Sequence, residues 1–153
     1  MSERADPSRR QAMPAWEVGG RVAIFDLINR YNAEADRGHF AQALELFSDG
    51  ATFEVGKKVW EGKKSILAMM ESTSNRIASN SEIKFYRHVT STHQIDFASE
   101  TQASGRCYLH IVTDLGLDHW GRYIDRFANT ETGWLFSARR VVIDGWSDPG
   151  GRL

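Results

Sequence analysis

Two histidines in neighbouring β-like segments are the first residues whose spacing points to chemistry. His88 lies in the run 83–97 and His110 in the run 101–114. A tight hairpin at residues 98–100 places the two imidazoles opposite each other on one face of a sheet. Unpaired polar groups cost ~1–3 kcal/mol to bury, so two histidines in mid-sheet are poor core residues. The pairing predicts a functional site, the alternative being a solvated face with two surface histidines.

Asp36 closes the last turn of the first predicted helix, where the negative end of the helix dipole disfavours a carboxylate. One interpretation is an exposed polar residue. If the side chain points inward, it can accept the Nδ1 proton of a histidine, fix the tautomer and raise the basicity of the ring. Tyr31 lies about 140° away around the helix axis. It therefore either reaches the same cavity along one wall or is a core tyrosine.

Several familiar catalytic motifs are absent from the sequence. It contains no GxGxxG, GxxxxGK[ST], GxSxG or HExxH motif, and its five histidines show no i, i+4 pairing. The single cysteine, Cys107, excludes an intramolecular disulfide, and no Cys/His cluster suits zinc. We therefore predict no metal and no cofactor.

The composition is that of an ordinary globular domain of 153 residues, with 41% hydrophobic and 25% charged residues. A formal net charge of −1 argues against a nucleic-acid partner, which normally requires a basic surplus. Neither a secretory signal nor an apolar run long enough to span a membrane is found. The sequence predicts no membrane association and a cytoplasmic location.

Helical periodicity dominates the first half of the chain. Apolar residues recur at helical spacing from Trp16 to Gly38, which can supply a left-handed C-cap, again over 40–47, and again after Gly62. Two short strand-like pieces, 52–55 and 59–60, separate the second helix from the third.

After residue 81 the pattern becomes β-like. The runs are 83–97, 101–114, 119–129 and 134–143, joined by short connections that predict antiparallel hairpins. Helices followed by an antiparallel meander define an α+β domain. We predict one domain over 16–146, a loose arm at 1–15 and a tail at 147–153.

Six short motifs, each present once, follow one another along residues ~18–145. They are Tyr31-x4-Asp36-x-Gly38, Leu46-Phe47-x-Asp49-x-Ala51, Gly62-Lys63-Lys64-x-Ile66, Arg87-His88, Gly121-x-Tyr123-x-Asp125 and Gly133-Trp134-x-Phe136-x2-Arg139. The ordered set resembles the nuclear transport factor 2-like superfamily, in particular its SnoaL-like branch. The resemblance implies a cone-shaped barrel, in which a curved antiparallel sheet wraps around three helices and a deep apolar pocket lies between them.

The resemblance also implies roles for individual residues. Asp36 and His88 match the aspartate and histidine that scytalone dehydratase, bile-acid 7α-dehydratase and hexachlorocyclohexane dehydrochlorinase share. His110 looks like the second histidine of scytalone dehydratase, and Arg139 falls where two of these enzymes carry an arginine. Phe53 departs from the pattern, because scytalone dehydratase has a tyrosine there.

The site expected from the sequence has several parts. His88, oriented by Asp36, removes a proton; Tyr31 and His110 donate hydrogen bonds to the developing oxyanion or departing hydroxyl; Arg139 neutralises negative charge deeper in the pocket. The candidate wall residues are Phe53, Trp60, Met69, Met70, Phe85 and Phe127. The tyrosines that could assist are Tyr86, Tyr108 and Tyr123.

The predicted function is that of a cofactor-independent lyase, of the dehydratase type, or an isomerase, acting on a small cyclic, largely apolar substrate. One alternative is a SnoaL-like polyketide cyclase that closes a ring by an aldol step. Another is a non-catalytic ligand-binding or assembly module, in which Asp36 and His88 would not touch. Apolar surface expected around Trp120, Trp134 and Trp146 predicts a homo-oligomer, with a trimer favoured slightly over a dimer.

Overall fold

The structure is a computed structural model and describes residues 12–147. Its helices are α1 (Ala15–Asp36), α2 (Phe40–Leu44) and α3 (Lys63–Ala78). In α1 the buried apolar residues follow the predicted helical spacing: Ile24, Leu27, Ile28 and Tyr31. The helix ends at Asp36, and Gly38 adopts φ +74°, a conformation that glycine reaches without strain.

The strands are β1 (Phe47–Val55), β2 (Lys58–Glu61), β3 (Tyr86–Ser99), β4 (Gln102–Thr113), β5 (Gly116–Thr130) and β6 (Gly133–Trp146). They form one six-stranded sheet in the order β2-β1-β6-β5-β4-β3. The predicted α+β class is confirmed, and β3 to β6 are the expected antiparallel meander.

Two details of the predicted architecture are corrected. Strand β1 runs parallel to β6, so the sheet is mixed, and it stays open because β2 and β3 are its edges. The second helix is also shorter than its periodicity predicts. Phe47 belongs to β1, where it pairs with Phe136, because the Phe136 N–H donates to the Leu46 carbonyl and draws this segment into the sheet.

The hydrophobic core lies between the inner face of the sheet and α1, which packs against β3 and β6. Side chains along β4 and β5 alternate between buried and exposed, so odd-numbered residues such as Leu109, Ile111 and Tyr123 face inward. Helix α3 packs against β1 and β2. These contacts leave a pocket at one end of the core, between α3 and the sheet.

The domain bounds predicted from the sequence remain predictions. Helix α1 begins at Ala15 and β6 ends at Trp146, while most of the predicted arm and tail lies outside the described residues. Among residues 12–147, none of the helices combines the length and the hydropathy that a membrane-spanning helix requires.

Candidate active site

Asp36 and His88 form a hydrogen-bonded pair at the junction of α1 and β3. Asp36 Oδ1 lies 2.6 Å from His88 Nδ1, and the backbone N–H of His88 donates to both carboxylate oxygens at 3.2 and 3.3 Å. These donors compensate the carboxylate for its place at the negative end of the helix dipole. With the Nδ1 proton held by Asp36, the lone pair of Nε2 is free, which is the form a general base requires.

The pair lines a pocket of about 1270 Å³, somewhat larger than the ~300–1,000 Å³ usual for small-molecule sites. Both side chains remain partly accessible, with 19% of His88 and 10% of Asp36 exposed. Seven of the residues predicted as walls or assisting tyrosines also line it: Phe53, Trp60, Met69, Met70, Phe85, Tyr86 and Tyr123. Aromatic and methionine side chains therefore form much of the wall around the Asp36–His88 pair.

His119 also lines this pocket, and Asp118 lies beside it as the carboxylate of a second histidine–carboxylate pair. His119 Nδ1 lies 2.6 Å from Asp118 Oδ2, and both side chains are less than a tenth exposed. The register shift between β4 and β5 leaves Asp118 as an extra residue, so it is buried beside its neighbour. Burial lowers the pKa of His119, and the Asp118 carboxylate opposes that shift only in part. His119 is thus a neutral imidazole at pH 7.

Tyr86 lies beside both histidines. Its ring centroid is 5.3 Å from that of His88 and 6.5 Å from that of His119. Burial raises the pKa of Tyr86, and the carboxylates of Asp118 and Asp36 raise it further. The phenol therefore keeps its proton and is available as a hydrogen-bond donor. Of the three tyrosines proposed to assist, this is the one placed against the imidazoles.

His110 is not opposite His88, contrary to the prediction. Val89 pairs with His110, and His88 pairs with Ile111. Two bulges in β3 each insert an extra residue, and the turn is centred on residues 100–101, so the register differs by one residue from a tight hairpin. A one-residue shift moves a side chain to the other face of the sheet. The outer face therefore carries His110, and also Tyr108, which is 50% exposed.

Arg139 does not line the pocket, although the resemblance implies a charge-neutralising role there. Its guanidinium donates to both oxygens of Asp125 at 2.8 and 2.7 Å, and neither side chain is more than 1% exposed. The guanidinium carbon lies 4.4 Å from the ring centroid of Tyr31 and 3.8 Å from that of Tyr123. Arg139 supports the pocket floor from beneath, and Tyr31 separates it from the cavity.

The remaining predicted residues divide between the pocket and the core. Tyr31 lines the pocket but is only 5% exposed. Phe127 lies in the core against Phe136, with ring centroids 5.3 Å apart, and does not line the pocket. No group of three or more potential metal ligands occurs among residues 12–147. The expectation that the protein uses no metal or cofactor stays a prediction.

The sequence analysis missed His119 and Asp118. The signal was present, because His119 lies four residues before Tyr123 in one β-like run and therefore shares its face. Trp146 completes this corner, with its ring centroid 4.4 Å from that of His119. The row His88–Ile111–His119 follows from the pairing of β3, β4 and β5, but only once the bulges are known.

The sequence matches the model of the SnoaL-like domain over residues 16–140. The chain belongs to the SnoaL-like family. No curated protein matches it in sequence. The resemblance to the SnoaL-like branch is thus confirmed over most of the chain.

Solved structures show the same fold. A protein provisionally named scytalone dehydratase, from Novosphingobium aromaticivorans, is 19% identical, with a TM-score of 0.77 over 89% of this chain and 91% of its own. Hexachlorocyclohexane dehydrochlorinase from Novosphingobium barchaimii is 15% identical, with a TM-score of 0.73 over 86% and 91%. A protein provisionally named an aromatic ring hydroxylase, from N. aromaticivorans, is 21% identical, with a TM-score of 0.68 over 88% and 93%. Their different names show that the likeness fixes the fold and not the reaction.

Proposed function

We propose that this protein is a cofactor-independent lyase of the dehydratase type, or an isomerase, acting on a small cyclic substrate. The observation that supports this most is the contact between Asp36 and His88 at 2.6 Å inside a largely apolar pocket. A carboxylate that holds Nδ1–H directs the basic Nε2 of the imidazole outward, and this arrangement is suited to removing a proton from carbon.

The chemistry starts with proton transfer to Nε2 of His88, which becomes an imidazolium stabilised by Asp36. Negative charge then develops on the substrate oxygen, where the Tyr86 hydroxyl donates a hydrogen bond. In a dehydration the imidazolium returns its proton to the departing hydroxyl; in an isomerisation it returns the proton to a second carbon. The base supplies a factor of ~10²–10⁴ and a positioned donor about 10²–10³.

His119 extends this arrangement to a second position in the pocket. Its Nδ1 is engaged by Asp118, so Nε2 accepts a hydrogen bond from a substrate hydroxyl. A positive charge on His88 lowers the pKa of His119, so His119 stays neutral when His88 takes up a proton. We assign proton abstraction to His88, the more accessible histidine, and substrate orientation to His119.

The alternatives predict different arrangements. A non-catalytic binding module has no need for a carboxylate in contact with a histidine, and the two pairs at 2.6 Å favour catalysis. A cyclase that uses an acidic residue needs a carboxyl free to meet the substrate, whereas Asp36 is engaged by His88. An aldol closure driven by His88 remains the second candidate, because it begins with the same proton abstraction.

The reaction class can be tested with simple substrates. Purified protein is incubated with 3-hydroxycyclohexanone for elimination, 3-cyclohexenone for isomerisation and 2,6-heptanedione for aldol closure followed by loss of water. The conjugated enone that each reaction yields is followed by its absorbance. We expect turnover of one of the first two that the His88→Ala variant lacks. Turnover of the dione alone would establish the cyclase, and equal rates for wild type and variant would contradict the proposal.

We also propose a homo-oligomer in the cytoplasm, with a trimer favoured over a dimer. Support comes from the outer face of the sheet, where Val89, Tyr108, Trp120 and Ile124 are 36–50% exposed. Trp134 and Trp146, which were expected to add to this surface, instead pack on Phe97 and His119. Light scattering at micromolar concentration gives the assembly mass; a monomer would refute this proposal.

A further inference from the structure

The mouth of the pocket carries an excess of positive charge. Six exposed cationic side chains belong to its lining: Arg37, Lys57, Lys58, Arg76, Lys84 and Arg87. The one acidic residue of that lining is Asp36, which is engaged by His88. Since the formal net charge of the whole chain is −1, the excess is local to this pocket.

Few of these cations are neutralised by a nearby acid. Arg37 lies 3.5 Å from Glu34, and the Lys84 backbone binds Asp114, whose carboxylate also feels the Lys84 charge. For the other four, the described part of the chain offers no carboxylate within 4 Å. Arg76, one of these four, has a structural reason for its position, because it lies in the last turn of α3, where the negative end of the helix dipole favours a cation.

The remaining cations come from separate elements that meet at the pocket. Lys57 lies in the turn between β1 and β2, and Lys58 begins β2, at the edge of the sheet opposite β3. Arg87, at the start of β3, lies over the Phe85 ring with its guanidinium 5.5 Å from the centroid. Cationic groups thus flank the opening from both sides, above walls of aromatic and methionine side chains.

We propose that the ligand of this pocket is amphiphilic: an apolar ring system that enters the cavity, with a carboxylate or phosphate group held at the cationic mouth. A cleft edged by one sign of charge over low-dielectric walls focuses its field and concentrates ligands of the opposite sign. This inference deepens the proposed function, because it names the substrate class of the same pocket. It extends the largely apolar substrate expected from the sequence by one anionic group.

Two fluorescent dyes with the same ring system test the inference directly. 8-Anilinonaphthalene-1-sulfonate is anionic, and N-phenyl-1-naphthylamine lacks the sulfonate. At about 10 mM ionic strength, where the screening length is ~30 Å, we expect the anionic dye to bind at least about tenfold more tightly. Added salt should weaken the anionic dye alone.

Charge reversal at the mouth isolates the cause. The variant Lys57→Glu/Lys58→Glu should lose about tenfold in affinity for the anionic dye and stay within about twofold for the neutral dye. Lys64→Glu is a single charge-reversal control, because Lys64 is exposed on α3 and does not line the pocket. It should leave both affinities within about twofold. If circular dichroism shows that the double glutamate variant is unfolded, Lys57→Gln/Lys58→Gln should lose about threefold.

Several results would overturn the inference. Equal affinity of the two dyes, equal losses for both dyes in the mouth variant, or the same loss in the Lys64→Glu control would each remove the role of the local charge. Competition by 1-naphthoate and by 1-naphthyl phosphate distinguishes a carboxylate from a phosphate group. If neither anion displaces the anionic dye better than the neutral 1-naphthol does, the inference is also refuted. Dye binding requires no catalytic step, so failure here is distinct from failure of the proposed reaction.

Discussion

The role of Arg139 can be tested directly, because the family resemblance implies a role in the pocket whereas the structure pairs Arg139 with Asp125 in the core. In the structure the pair is buried, its two hydrogen bonds are charge-assisted, and two tyrosine rings cover the guanidinium. Burial acts to lower the pKa of Arg139, but Asp125 outweighs it and leaves the pKa raised. Arg139→Met therefore leaves a carboxylate that is 1% exposed without its counter-charge.

The expected loss is large on the scale of a domain. Removing one partner of a buried ion pair costs ~3–5 kcal/mol, against a total stability of roughly 5–15 kcal/mol. For a chain of this size, that loss lowers Tm by roughly 6–20 °C. Urea denaturation followed by circular dichroism measures the free energy of unfolding.

A double variant separates pairing from packing. In Asp125→Leu/Arg139→Met no buried charge remains, so it should be more stable than Arg139→Met, because replacing both members of a buried pair by apolar groups is often neutral. A loss below about 1 kcal/mol in Arg139→Met, combined with weakened dye binding, would refute the structural role. That result would instead support the role of Arg139 in the pocket that the family resemblance implies.

Three further predictions concern stability and reactivity. A Cβ at Gly121 would clash with the Val142 carbonyl oxygen, so Gly121→Ala should cost about 2 kcal/mol in urea denaturation. Gly19→Ala, in an open helical position, should gain about 0.5–1 kcal/mol, and equal effects of the two substitutions would contradict the close approach at Gly121. Burial raises the pKa of Cys107 to about 11, so iodoacetamide should label it only when urea unfolds the chain, and rapid labelling of folded protein would refute this. Burial lowers the pKa of His119 in the folded state. Below the ordinary histidine pKa of ~6.5 the unfolded chain therefore binds more protons than the folded one, and the free energy of unfolding should fall as pH drops from 7 towards 5. His119→Gln should reduce this dependence of stability on pH, and an unchanged dependence would contradict the assignment.

The α+β architecture could be predicted because its signals are local. Helical spacing of apolar residues located α1, and turn residues around Gly116 and Gly133 marked the hairpins. The parallel pairing of β1 with β6 could not be predicted in this way. It depends on contacts between residues about 90 positions apart, such as Phe47 and Phe136, and no local periodicity encodes them.

For the candidate site, too, local features could be predicted from the sequence and long-range contacts could not. Asp36 was found because a helix end is a local feature, and the family motifs match both Asp36 and His88. The predicted pairing with His110, which also pointed to His88, was wrong. His110 was misplaced because the turn lies later in the chain than assumed, and the two bulges in β3 offset that displacement only in part. A net error of one residue remains, and because side chains alternate with period 2 it puts His110 on the other face. Arg139 was misassigned because two hydrogen bonds to Asp125 hold its guanidinium in the core, which a sequence motif does not reveal.

The most direct test of the central claim is proton abstraction itself. The protein is incubated with 2-tetralone in D₂O, and loss of the proton signals next to the carbonyl is followed by NMR. We predict exchange that is at least ~100-fold slower in His88→Gln and in Asp36→Asn than in wild type, with His110→Gln, on the outer face, unchanged. If the His88 and Asp36 variants keep folded circular dichroism spectra and exchange at the wild-type rate, the pair is not the base and the account is contradicted.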